Sequence, residues 1–151
     1  MTASPALLSL LAHAERERNG AMSEAKRIEM EHRNAQRQAE QLLAYRNDYE
    51  QRWSRSFGNG GGIAIVHCYQ GFMDRLGGAI AAQQRVVAMA AQRLANAQGQ
   101  WQQHEIRVAA IRKLIERRSG EARVAEARLE QRQQDEHGLR AAWQRAALSP
   151  L

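Results

Sequence analysis

The stretch of this chain with the most promise for chemistry is SRSFGNGGGIAIVHCYQGF, residues 54–72, where Gly58, Gly60, Gly61 and Gly62 lie just ahead of His67 and Cys68. Glycines let a backbone wrap closely round a phosphate, and an imidazole beside a thiol suggests a metal ligand pair or an activated nucleophile. Each idea fails on particular residues. A phosphate loop of the Walker A type needs Gly-Lys followed by Ser or Thr, and here the glycines lead into IAIVH with no lysine. In a dinucleotide fingerprint starting at Gly58 and Gly60, the third glycine position falls on Ile63. His67 and Cys68 are sequence neighbours, which on a helix point about 100° apart, and no further His or Cys stands at ligand spacing.

The remaining histidines, His13, His32, His104 and His137, are scattered singly, and the carboxylates are spread along stretches that read as solvated helix faces. Acid–base catalysis needs a concave site that perturbs a carboxyl or imidazole, and the pattern offers none, so no catalytic residue, cofactor site or metal site is expected. The single cysteine excludes an internal disulfide and fits a reducing compartment. No run approaches the roughly 18 apolar residues of a membrane span, and the N-terminal apolar run is too short for a signal peptide, so a cytoplasmic protein is expected.

The elements that must carry any function are helices. Ala, Glu, Gln, Arg and Leu dominate the 151 residues, aromatics are 5%, and the only prolines, Pro5 and Pro150, bracket the chain. Ser4 before Pro5 is an N-cap with proline at the first helical position. Alternate steps of four and three from Leu7 reach Leu11, Ala14, Arg18, Ala21, Ala25, Ile28, His32, Ala35, Ala39, Leu42, Arg46, Tyr49 and Trp53, with only three polar residues among the fourteen. The same steps taken back from Trp143 to Val66 meet five polar residues in twenty-three: Glu136, Arg132, Arg118, His104 and Gln83. Two heptad seams on either side of a glycine cluster predict an all-α antiparallel two-helix coiled-coil hairpin, forming a single domain over 1–151. Helix one is expected over about 5–56, the turn over about 57–62 and helix two over about 63–146.

Folding about residues 60–61 sets residue i opposite the residue at about 121 minus i, so helix one runs out near residue 115 and the end of helix two overhangs by about 30 residues, or about 45 Å. The overhang keeps its stripe, with Ala122, Ala125, Leu129, Leu139 and Trp143, which implies a partner or self-association. Its charge is mixed. Residues 51–151 hold 15 basic against 8 acidic residues, but acidic residues interrupt the arginines between 105 and 136, as on a solvated face rather than a DNA footprint. The densest basic block, RVAAIRKLIERR at 107–118, sits inside the seam and lacks the base-reading pattern of a basic leucine zipper.

The same register aligns two stripes near the turn: Gln38, Leu42, Tyr45 and Tyr49 on helix one lie beside Gln83, Ala79, Leu76 and Phe72 on helix two. Tyr45 and Phe72 are one position off the seams, and both are expected to show toward a partner, as aromatic anchors do. Gly71, Gly77 and Gly78 cost helix stability, and the expected return is close approach of a partner backbone, or of the facing Tyr49 and Leu43, or flexibility at the turn end.

With LLAYRNDYEQRW, GNGGG, YQGFMDRLGGAIAAQQ and LEQRQQDEHGLRAAWQR in order, the whole chain resembles the FliJ family of flagellar type III export proteins, most specifically from Tyr45 to Gln83. The resemblance implies a non-catalytic coiled-coil stalk that inserts into the hexameric flagellar export ATPase and promotes its assembly and activity. It also implies contact with the export gate protein FlhA and an escort role for export substrate chaperones. On this basis Gln38, Leu42, Tyr45, Tyr49, Phe72, Leu76, Ala79 and Gln83 would form the gate-binding patch, with position 83 departing from the histidine frequent in the family. Arg117, Arg118, Arg123, Arg128, Arg132, Leu139 and Trp143 would face the ATPase ring, and the protein would be cytoplasmic, peripheral to the inner membrane at the flagellar base, serving motility and chemotaxis. Two alternatives stay open: a coiled-coil stalk or adaptor of a virulence type III secretion system, and a basic helical nucleic-acid-binding protein.

Overall fold

The structure, a computed structural model, describes residues 4–149. They form two helices, α1 over Pro5–Gly58 and α2 over Ile63–Leu148, of 54 and 86 residues, and no strand occurs among the described residues. The fold is all-α, a two-helix hairpin as expected, with each helix running two residues past its expected C-terminal end. At the first end the Ser4 carbonyl accepts from the Leu8 amide at 3.1 Å, which places Ser4 at the N-cap with Pro5 at the first helical position.

The turn shows why α1 continues into its glycines. The Asn59 amide donates to Ser56 O and the Gly60 amide to Phe57 O, both at 3.2 Å, so the last turn tightens and its carbonyls are satisfied. Gly60 then takes φ +87°, the only positive φ among the described residues, and the backbone reverses. The Gly62 carbonyl accepts from Ile65 and Val66, opening α2. The cluster is an elbow, and only Gly60 uses the freedom that glycine alone has.

Gly71, Gly77 and Gly78 do not serve close approach within the chain: a β-carbon built at any of them meets nothing within 4 Å, so neither Tyr49 nor Leu43 presses on them. Opposite effects of alanine follow. Gly60→Ala should lower stability by about 1 kcal/mol or more, because an L side chain resists positive φ, whereas Gly77→Ala and Gly78→Ala should each raise it by up to about 1 kcal/mol. Thermal unfolding followed by circular dichroism at 222 nm measures all three.

The chain divides into two compact units, one of residues Glu17–His104 and one of Met1–Arg16 with Glu105–Leu151. In the first unit Ala25, Ile28 and Ala97 are buried together, with Leu94 and Trp101 packed on them. Polar contacts fix the register here: Arg93 Nη1 lies 3.2 Å from Glu31 Oε2, His104 Nδ1 lies 3.8 Å from Glu17 Oε2, and Gln83 Nε2 donates to Gln38 Oε1 at 3.2 Å. Arg27 makes a forked contact with Glu24, its Nε lying 3.0 Å from Oε2. The hydrogen bond from Arg27 holds the exposed Glu24 carboxyl below its ordinary value against an opposing desolvation, and the charges of Arg27 and Arg93 lower it further.

In the second unit Ala14, Val108 and Ile111 form the core, flanked by Leu11 and Ile115, while Arg112 donates to Glu15 at 3.0 Å. Beyond Ile115 the cover ends. Among described residues 121–149 every side chain is exposed except those of Ala122 and Ala141, which are half-buried.

Burial follows the heptad reading. All fourteen expected seam positions of α1, from Leu7 to Trp53, are buried or half-buried, and so is every seam position of α2 from Val66 to Ile115. Among the described residues the buried apolar side chains number eleven, of which Ala14, Ala25, Ala35, Ala90 and Ala97 are alanine. An alanine layer removes little area from water at about 25 cal/mol per Å², so the seam is thin and each heptad contributes modestly.

Candidate partner-binding surfaces

Two stretches carry the side chains that the sequence singles out for partners. The first is near the elbow, in the unit of residues 17–104. The 4-3-4 spacing on each helix carries Gln38, Leu42, Tyr45 and Tyr49 up one side, and Phe72, Leu76, Ala79 and Gln83 down the other. The structure brings them together. Phe72 stacks on Tyr49 with ring centroids 4.5 Å apart at 28°, Tyr45 meets Tyr49 at 5.2 Å, and Tyr45 approaches Phe72 edge-on at 6.3 Å.

The eight residues do not share one role. Tyr45, 47% exposed, stands out as expected of a partner anchor, and Gln38 and Ala79 are exposed beside it. Phe72 was expected to be equally open, but it is half-buried because its ring lies on Tyr49. Leu76 is buried at 7% exposure and belongs to the inter-helix core. Gln83 bridges the helices, its amide donating to the Ala35 carbonyl at 3.0 Å as well as to Gln38, and so closes one end of the patch instead of projecting from it.

Between them Gln38, Gln41, Leu42, Tyr45 and Gln83 line a shallow groove of about 440 Å³. Gln41 has no part in the two stripes and enters only because its side chain rims this groove. A second aromatic set adjoins the elbow: Trp53, Phe57 and Tyr69, with centroids 5.1 to 5.4 Å apart. Trp53 and Tyr69 are seam positions, and Phe57 joins them because α1 continues past residue 56.

The second place is α2 beyond residue 116. Arg117, Arg118, Arg123, Arg128, Arg132, Leu139 and Trp143 are all exposed, Trp143 to 70%. At about 100° per residue, six of these seven fall within an arc of about 100°, and Arg123 lies on the opposite side. Glu121, Asp135 and Glu136 share the arc, so this face is apolar and mixed in charge. Leu139, Ala142, Trp143 and Ala146 enclose a shallow apolar concavity of about 280 Å³.

His67 and Cys68 are both exposed near the elbow. Among the described residues no group of three or more His, Cys, Asp or Glu side chains could hold a metal ion. No helix of the described residues is long and apolar enough to cross a membrane. At the elbow and on the part of α2 beyond residue 116, aromatic, apolar and arginine side chains stand exposed.

A search of curated proteins returned no match. The family model of the flagellar FliJ protein, by contrast, matches residues 3–147, taking in both helices, the elbow, the aromatic patch and the uncovered stripe. On that near-complete match the chain belongs to the FliJ family of flagellar export proteins.

Proposed function

We propose that this chain is a non-catalytic stalk of the flagellar export ATPase. In this reading the part of α2 beyond residue 116 inserts into the hexameric ring and promotes its assembly and activity. The elbow patch contacts the export gate protein FlhA, which brings the stalk to the cytoplasmic face of the inner membrane at the flagellar base. An escort role for export substrate chaperones belongs to the same reading. The observation that carries it is the stretch of α2 past Ile115, where the helix continues to Leu148 with Leu129, Leu139 and Trp143 more than half exposed. Family membership supplies the setting in flagellar export.

Arginine side chains on that stretch suit a ring interior that offers carboxylates or backbone carbonyls, and apolar anchors between them suit a lumen that excludes water. Neutralising Arg117, Arg118, Arg123, Arg128 and Arg132 to glutamine should therefore cut stimulation of ATP hydrolysis by purified export ATPase about fivefold or more, with a salt dependence weaker than that of the parent protein. Steady-state hydrolysis with and without the chain measures this. Unchanged stimulation by the five-fold variant would remove the arginines from the mechanism.

A further inference from the structure

The uncovered stripe of α2 is complementary to itself. We infer that a second copy of this chain can occupy it, the two helices pairing antiparallel about a centre at residue 134 and each taking up the seam where the other molecule's α1 has stopped. This does not rest on the stalk reading, since it concerns only what α2 does with its own kind.

The stripe continues the α2 seam through Arg118, Ala122, Ala125, Leu129, Arg132, Glu136, Leu139, Trp143 and Ala146. All are exposed except Ala122, which is half-buried. A parallel pairing would set each residue against its own copy. Arg118, Arg132 and Glu136 would then form three like-charge layers, which disfavour association.

Antiparallel pairing about residue 134 removes the two central conflicts. Arg132 of each chain meets Glu136 of the other, twice across the axis, and Leu129 meets Leu139. Ala125 meets Trp143, a small side chain against the largest one, and Ala122 meets Ala146. The concavity enclosed by Leu139, Ala142, Trp143 and Ala146 is where the second copy's Leu129 and Ala125 would seat. On one flank Glu126 of one chain faces Arg140 of the other, again twice, which outweighs the single contact of Asp135 with its own copy on the other flank. A heptad slip in either direction sets Arg132 or Glu136 against an apolar residue, so charge selects this one register. The paired stretch ends just short of the residues that α1 covers in its own unit, Val108 and Ile111, so the second copy displaces nothing.

With two leucine layers, two Trp–Ala layers and a charged centre, affinity should be low, on the order of 10 μM. The test is sedimentation equilibrium of the full chain from about 1 to 300 μM. The parent's average mass should climb from 17.0 kDa toward twice that value. Arg132→Glu alone and Glu136→Arg alone should each weaken association at least about tenfold, because each creates two like-charge contacts at the axis. The doubly exchanged chain should recover the parent's affinity to within about threefold. An equimolar mixture of the two single variants should associate at least about tenfold more tightly than either does alone. A parent that stays at 17.0 kDa throughout overturns the inference, as does association that is indifferent to the single reversals or is not restored by the double exchange. Circular dichroism of each variant checks that the exposed helix persists, so loss of folding is not mistaken for loss of pairing.

Discussion

Tyr45→Ala combined with Phe72→Ala should abolish capture of this chain by the purified cytosolic part of the export gate while the helical signal stays within a few per cent of the parent. Tyr45 is the member of the aromatic trio that projects, at 47% exposure, and its loss removes ring area from a partner without opening the seam. Truncation of an aromatic anchor commonly costs about 2 kcal/mol or more of binding, about thirtyfold in affinity, and two adjacent anchors together exceed the range of a weak complex. The single variants should behave differently. Tyr45→Ala should lose affinity at a smaller cost in stability, about 0.5 kcal/mol, because its ring meets Tyr49 and Phe72 but stands half in solvent. Phe72→Ala should lose affinity and also some stability, about 1 kcal/mol, because it ends the stack on Tyr49. Binding measured by interferometry, beside thermal melts of all three variants, separates the displayed ring from the supporting one. Full retention of gate binding by the double variant would remove the patch from the interface.

Val108→Asp should unfold the pairing in its unit. Val108 is 1% exposed and packs with Ala14, also 1% exposed, and with Ile111. A carboxylate there has no hydrogen-bonding partner within that cluster, and placing one in an apolar site costs several kcal/mol, about 3 or more, in a seam whose layers are thin. Hydrogen exchange should show residues 5–16 and 105–115 losing protection by at least about a hundredfold. The elbow aromatics, in the other unit, should keep theirs. Val124→Asp is the matched control. Its site is 52% exposed, so the same chemical change should move stability by no more than about 0.5 kcal/mol.

The sequence already carried the pattern of burial, because a helix leaves a seam position little choice of direction. Even Arg18, His32 and Arg46, polar residues on the α1 seam, are half-buried where the heptad puts them. The pairing of Gln38 with Gln83 and of Tyr49 with Phe72 followed from the position of the elbow alone. What periodicity could not supply was the rotation of individual rings and amides. Phe72 lies one position off the seam and was read as displayed, yet its neighbour Tyr49 offers a flat surface that outcompetes water for it. Gln83 was read as a polar residue on the seam, and periodicity could not say that its amide would find the Ala35 carbonyl. The glycines misled in a different way. Three of them early in α2 read as sites of close approach or of flexibility at the turn end, and within the chain nothing comes close to them. Gly58 read as part of the turn, although a glycine can be a helix's last residue as readily as its first departure from it.

The elbow at Gly60 also acts as a mirror in the history of the sequence. Because α1 and α2 pair by reflection about it, one residue inserted between Ala25 and Ala35 would turn everything on one side of it by about 100° and carry alanines off the seam. Only a matching insertion between Val87 and Ala97, or a whole heptad on each side, would keep the layers in step. Descendants of this chain are therefore bound to change length in reflected pairs up to Ile115. Past that residue no described residue of α1 covers α2, and length there is free to drift under the demands of whatever it meets.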